Sequence, residues 1–321
     1  MTYIEFTFND KVLQIDSKLA EALASCAYNI EADWDMVILV TGNRTVRTGK
    51  SVMAMTIAAF VAYMLKKLKI NDDAFKIENI FFDGKRMLDA AQKLKYSVIV
   101  MDEARESLAA SKSTMQLQQS ILDFFTECGQ LRNIFIVVLP DYFDLKEMIA
   151  VPRSEMLINV YREDSVVHKD FMGDGIKRPI TMFHRGFFKF YNRDAKQLMY
   201  DIFRTTRRKE YWSVKPTFPA GRFCEQYPLD EQKYREMKKE ALARFKEKHE
   251  EKETKMEVKF KAELVQTYKM LRDAGLSNVK IGEALGKTPQ AISKFISQNS
   301  ISENSNSIFD KKKDTGYVAV P

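Results

Sequence analysis

Three consecutive residues, Gly49, Lys50 and Ser51, close the stretch TGNRTVRTGKS at positions 41–51. A glycine loop exposing backbone N–H groups, a helix N-terminus and one lysine ammonium together surround phosphate oxygens. An apolar run at 36–41 precedes the stretch and a helical pattern over 51–67 follows it, the strand–loop–helix order such a loop needs. The common spacing of this motif places four residues between two glycines. Here six separate Gly42 from Gly49, and counting back from Gly49 puts Arg44 at the first-glycine position. The candidate phosphate-binding set is Gly42, Arg44, Arg47, Thr48, Gly49, Lys50 and Ser51. Lys50 would contact the β- and γ-phosphates of ATP and Ser51 would hold Mg2+. Arg44 and Arg47 either touch phosphate from within the longer loop or point outward toward DNA or a partner.

A second constellation lies about fifty residues downstream, where the apolar run 96–101 ends in adjacent carboxylates, Asp102 and Glu103. Such a strand end can deliver Asp102 to Mg2+, while Glu103 polarises a water for in-line attack on the γ-phosphate. The plainer alternative is a strand terminus whose acids face solvent. The order of the two motifs favours a nucleotide site, and Glu103 favours hydrolysis because it has a role only in chemistry. Arg153 is a candidate arginine finger for a neighbouring subunit's site; its alternative is a surface pair with Glu155 or another carboxylate.

The elements that must position these groups alternate. Short apolar runs rich in Val, Ile and Phe at 36–41, 77–82, 96–101 and 133–139 read as buried parallel strands. Helical patterns at 51–67, 85–95 and 114–128 separate them, which implies an α/β fold with a parallel sheet. A short strand (3–15) and a helix (17–27) precede them, and extended runs at 156–162 and 180–191 close the sheet. A Pro- and Gly-punctuated segment, 215–228, reads as a boundary, so residues 1–214 form the first domain and 215–260 a basic linker and charged helical arm. No run reaches the roughly 18–20 apolar residues of a membrane span; the run 52–65 reads as the buried helix after the loop. Cys26, Cys128 and Cys224 have unrelated spacings, and the amino-terminal residues lack a signal-peptide layout, so the expected location is the cytosol.

The stretches VIVMDEARESL, GQLRNIFIVVLPDYFDL, PRSEMLINVY and HRGFFKFY resemble the zonular occludens toxin-like P-loop ATPases of phages, plasmids and archaeal elements. The 77–82 run, lying in sequence between the loop strand and the Asp-Glu strand, resembles the additional-strand, catalytic-glutamate (ASCE) division, with its RecA-like and FtsK/HerA-like motors. The spacing from Arg44 to Ser51 is similar to the deviant loops of terminase large subunits, although no metal-nuclease constellation follows residue 200. The resemblance implies a RecA-like P-loop NTPase domain, ATP and Mg2+ as ligands, and a homo-oligomeric ring. It also implies a polar sensor after the strand at 133–139, where Asp141 and Gln130 are the candidates; Asp141, following Pro140, reads equally as turn chemistry.

Residues 1–150 hold 17 Lys and Arg against 20 Asp and Glu, so the net charge of +7 comes entirely from the remainder. A basic second half suits a polyanion such as double-stranded DNA, or simply a solvated surface. Within it, 261–298 reads as a small all-α helix-turn-helix module. Gly282 is small where two helices cross, Gly286 supplies the turn, and Ile281, Leu285 and Ile292 with Phe295 or Ile296 form the core. Thr288 can N-cap the second helix, with Pro289 in its first turn. In that arrangement Thr288, Gln290, Ser293 and Lys294 face the major groove, and Lys280 and Lys287 lie nearer phosphates; a protein-contact role is the alternative. Residues 299–321 read as a mobile tail. The expected protein is a DNA-acting ATPase of a virus or mobile element, a packaging or translocation motor. The alternatives are a nucleotide-controlled replication, partition or regulatory factor, and a phage assembly or export ATPase.

Overall fold

The computed structural model describes residues 2–42, 47–102, 131–285, 288–291 and 294. The chain divides into one unit spanning Met1–Ala241 and a second spanning Leu242–Pro321. The expected helix over 114–128 lies outside the described residues.

The expected strand at 3–15 is a hairpin, β1 (Tyr3–Phe8) and β2 (Lys11–Asp16), paired antiparallel. Asn9 and Asp10 make its turn at φ of 46° and 61°, the left-handed pair that matches hairpin twist. Asp16 then caps α1 (Ser17–Glu31), accepting from the N–H groups of Lys18 at 3.0 Å and Leu19 at 3.3 Å.

Among the described residues a seven-stranded sheet has the order β4-β5-β6-β3-β7-β8-β9. Its strands are β3 (Met36–Gly42), β4 (Ile80–Phe81), β5 (Val98–Met101), β6 (Ile134–Val138), β7 (Met156–Lys169), β8 (Arg178–Tyr191) and β9 (Phe218–Arg222). Pairing is parallel from β4 through β7 and antiparallel from β7 to β9. The sheet is therefore mixed rather than parallel throughout. The connection from Lys169 to Arg178 is too short for a crossover, so β8 returns antiparallel to β7. The segment expected as a boundary carries β9, and the first unit runs on to Ala241.

Both faces of the sheet are covered, which is why its central strands read as continuous apolar runs. Ile38 and Val40 of β3 pack on one side with α1 and α2 (Lys50–Lys67). Val37 and Leu39 pack on the other with α3 (Gly84–Ala91) and α4 (Arg193–Thr206). Helix α2 is buried around nearly its whole girth, from Val52 to Ala62. Among the described residues no helix is long and apolar enough to cross a membrane.

β6 sits between β3 and β5. The strand physically interposed between the loop strand and the Asp102 strand is thus 134–138, not the 77–82 run. That run forms a short 3-10 turn, Ile77–Asn79, followed by the two-residue edge strand β4. The Asn79 amide takes the Val98 carbonyl at 3.1 Å and so competes with strand pairing there.

Helix α5 spans Glu231–Asp273, covering most of the expected charged arm and the first residues of the expected 261–298 module. It ends at Gly275, φ 80°, where the Leu276 N–H reaches back to the Leu271 carbonyl at 3.1 Å. This six-to-one bond, with Leu276 and Leu271 in one apolar cluster, is a Schellman stop. In α6 (Asn278–Leu285), Ile281 is buried against Leu264, Leu271 and Leu276. Gly286, Ile292, Phe295 and Ile296 lie outside the described residues, as does the 299–321 tail.

Candidate nucleotide-binding site

The turn from β3 into α2 is built on two positions that exclude side chains. Gly49 caps α2 at φ 96°, and a Cβ there would stand 2.9 Å from Phe223 Cζ. At Gly42, a Cβ would stand 3.1 Å from the Val160 carbonyl oxygen, and 3.2 and 3.3 Å from Lys50 Cδ and Nζ. The Lys50 side chain is therefore folded across the mouth of the loop, with its ammonium at the carboxyl end of β3. The first N–H groups of α2, which have no partner within the helix, open toward the same end.

Thr48 is 1% exposed, and its hydroxyl has no hydrogen-bond partner among the described residues. A buried donor left unsatisfied costs about 1–3 kcal/mol unless a ligand takes it. Arg47 is exposed, with φ at 59°. Residues 47–52 form one wall of a cavity of ≈ 580 Å³, faced by Arg185, Glu225, Tyr227, Tyr234 and Lys238. The structure thus brings Gly42, Arg47, Thr48, Gly49, Lys50 and Ser51 together; Arg44 lies outside the described residues.

Asp102 follows β5 and is 1% exposed, its N–H held by the Phe81 carbonyl at 2.8 Å. Ser51 Oγ donates to Asp102 Oδ1 at 3.2 Å, so the two expected Mg2+ ligands are in contact. The other carboxylate oxygen, Oδ2, receives the Tyr234 hydroxyl and lies 3.3 Å from Lys238 Nζ. Burial first, then the Asp102 charge and its hydrogen bond, push the Tyr234 phenol far up, so it remains a donor. Glu103 lies outside the described residues. A phosphate chain fits this loop on two counts, the side-chain-free cradle at Gly42 and the partnerless Thr48 hydroxyl. Among the described residues no group of three or more His, Cys, Asp or Glu could hold a metal ion. Ser51 and Asp102 are the described groups placed where they could hold a Mg2+ carried by the phosphates.

Sequence reasoning did not find Phe223, Arg185, Tyr234 or Lys238 as parts of this site. The one trace is the i,i+4 spacing of Tyr234 and Lys238 on a charge-dense helix, and it does not say what that face meets.

The other candidates lie elsewhere. Arg153 spreads its guanidinium fork over Asp35, with Nη1 at 3.2 Å from Oδ1 and Nη2 on Oδ2. Its partner is thus Asp35, while Glu155 lies 3.6 Å from Arg193. Asp35 precedes β3, whose seven residues at about 3.3 Å each put the pair roughly 20 Å from the phosphate loop. Reaching a neighbour's site would require that pair to break. Asp141 is buried and accepts from the Phe143 N–H at 3.3 Å and the Tyr211 hydroxyl at 3.0 Å, which is turn-capping chemistry. Gln130 lies outside the described residues.

In the second unit, Thr288 Oγ1 accepts from the Ala291 N–H at 3.3 Å, the N-cap bond that its position implies. Lys280, Thr288, Gln290 and Lys294 are exposed; Lys287 and Ser293 lie outside the described residues.

The chain matches no protein-family model and no curated protein. Two solved structures are similar to it at a distance. One is B204, the DNA-packaging ATPase from Sulfolobus Turreted Icosahedral Virus, at 14% identity over 51% of this chain and 94% of that one, with a TM-score of 0.29. The other is the N-terminal domain of zonular occludens toxin from Neisseria meningitidis, at 13% identity over 63% of this chain and 97% of that one, with a TM-score of 0.31. Likeness this remote assigns nothing to individual residues. The mixed sheet with helices on both faces is consistent with a RecA-like P-loop NTPase core.

Proposed function

We propose that this chain is a Mg2+-dependent ATPase that acts on double-stranded DNA, a packaging or translocation motor of a virus or mobile element. The observation that carries the nucleotide part is the junction of three groups at one end of the sheet: Lys50 folded over Gly42, Ser51 opening α2, and Asp102 against Ser51. Lys50 and the first N–H groups of α2 bind and orient the phosphates. Ser51 and Asp102 would hold Mg2+, which would supply charge neutralisation to the bound phosphates. Glu103, next in sequence to Asp102, accepts a proton from the attacking water. The DNA part is supported by the basic excess beyond residue 150 and by the exposed Lys280, Gln290 and Lys294 around the Thr288 cap.

One observation favours a second reading, a nucleotide-controlled DNA-binding switch: Asp102 is held by donors from α5, a contact that Mg2+-nucleotide would have to displace. ATP turnover with and without duplex DNA, in wild type, Lys50→Ala and Glu103→Gln, separates the two. A motor gives DNA-stimulated hydrolysis that both substitutions abolish. Wild type that binds ATP yet never turns it over with any DNA leaves the switch. Removing residues 261–321 should weaken DNA binding and flatten its salt dependence; unchanged binding removes the DNA assignment.

A further inference from the structure

Both carboxylate oxygens of Asp102 are already engaged. Oδ1 takes the Ser51 hydroxyl at 3.2 Å, and Oδ2 takes both the Tyr234 hydroxyl and the Lys238 ammonium, the latter at 3.3 Å. Two of these three donors come from one face of α5, a turn apart, more than 130 residues away in sequence. Their helix is placed independently of Asp102. Asp230 caps it by accepting from the N–H groups of Gln232 at 2.8 Å and Lys233 at 3.1 Å. Lys11 Nζ ties down the preceding segment through the carbonyls of Tyr227 at 3.0 Å and Leu229 at 2.9 Å. The Tyr234 ring lies among Phe82 and Tyr227, at centroid distances of 6.0 and 5.8 Å.

A carboxylate this buried needs a compensating cation. Lys238 supplies it in the structure, and Mg2+ would supply it in the nucleotide complex. Two cations on one small carboxylate repel, so Lys238 and Mg2+ compete for Asp102. We propose that Tyr234 and Lys238 form a latch on Asp102, with Lys238 standing in for the metal, and that both give up the carboxylate when Mg2+-nucleotide binds. The latch rests on the reading of 41–51 and Asp102 as the nucleotide site, and it gives α5 a nucleotide-dependent contact at its amino-terminal end.

The test uses the full chain and ADP, bound at equilibrium in Mg2+ or in EDTA. The readout is the ratio of the two dissociation constants. Lys238→Met and Tyr234→Phe remove the competition in Mg2+, and Lys238→Met also leaves a bare carboxylate facing phosphate in EDTA. The ratio should rise at least about 5-fold in Lys238→Met, the lower end of ordinary coupling between sites, and less in Tyr234→Phe. In wild type, with no substitution needed, amides 235–238 should lose hydrogen-exchange protection on adding ADP with Mg2+ and keep it on adding ADP with EDTA. If ADP binds in a Lys50-dependent way but the ratio and the exchange stay as they were, the latch alone is overturned. If wild type and Lys50→Ala bind ADP alike, the site reading and the latch fall together.

Discussion

Charged and polar groups are buried at both ends of the central sheet, but they are matched in different ways. At the amino-terminal end, partners lie in the adjoining turns and strands. Arg153 forks over Asp35, and the buried Lys196 donates to the Val151 carbonyl at 2.8 Å and to the Ser154 carbonyl and hydroxyl. Asn133 takes the Leu94 carbonyl at 2.8 Å and the Ser97 N–H at 3.0 Å. At the carboxyl-terminal ends of β3 and β5, the Thr48 hydroxyl has no partner among the described residues, Lys50 lies over a glycine, and Asp102 is held by donors from a distant helix. Burial of charge therefore does not mark the site. What marks it is the Thr48 hydroxyl, with no partner among the described residues, beside a carboxylate, Asp102, held by donors from a distant helix.

That contrast can be broken by substitution. Arg153→Met should lower stability most, by about 3 kcal/mol, because it takes the guanidinium away from the largely buried Asp35 carboxylate; denaturant unfolding measures it, and nucleotide affinity of the folded protein should hold. Gly49→Ala should cost about 1–3 kcal/mol, since it forces a side chain into left-handed backbone and onto the Phe223 ring. Unlike Arg153→Met, it should also weaken nucleotide binding, as titration of Mg2+-ADP would show.

Burial lowers the Lys196 ammonium from 10.5 to about 7. Between these values the unfolded chain holds the extra proton, so stability should rise with pH across that window, by at most about 1.4 kcal/mol per pH unit. Lys196→Met should remove that slope in unfolding experiments at pH 7 to 9. The smallest effect should come from Thr48→Val. Removing a partnerless buried hydroxyl should leave stability unchanged or raise it by about 1 kcal/mol, while nucleotide binding weakens. A matching loss of stability would place Thr48 with the self-satisfied end instead.

Much of this arrangement was legible in the residues. The β3–loop–α2 order followed from an apolar run, a Gly-Lys-Ser and a helical pattern, because each signal is local. The Thr288 cap is likewise short-range chemistry. The reversal into antiparallel pairing at β8 and β9 was less legible, since 156–162 and 180–191 read as extended runs without a direction. Which strand separates β3 from β5 was not legible, because order along the chain does not give order in a sheet: 77–82 lies between them in sequence, while 134–138 lies between them in space. The latch was hidden for the same reason. Tyr234 and Lys238 carry meaning only once α5 meets Asp102, a long-range contact that no periodicity encodes.

The central claim is that residues 41–51 and Asp102 form one Mg2+-nucleotide site, and equilibrium binding of Mg2+-ADP to wild type and Lys50→Ala tests it most directly. Saturable binding to wild type, weakened about 100-fold or more in Lys50→Ala, is the expected result, since the lost charged hydrogen bonds are worth roughly 3 kcal/mol. Equal binding by the two proteins, or none by wild type, would contradict it.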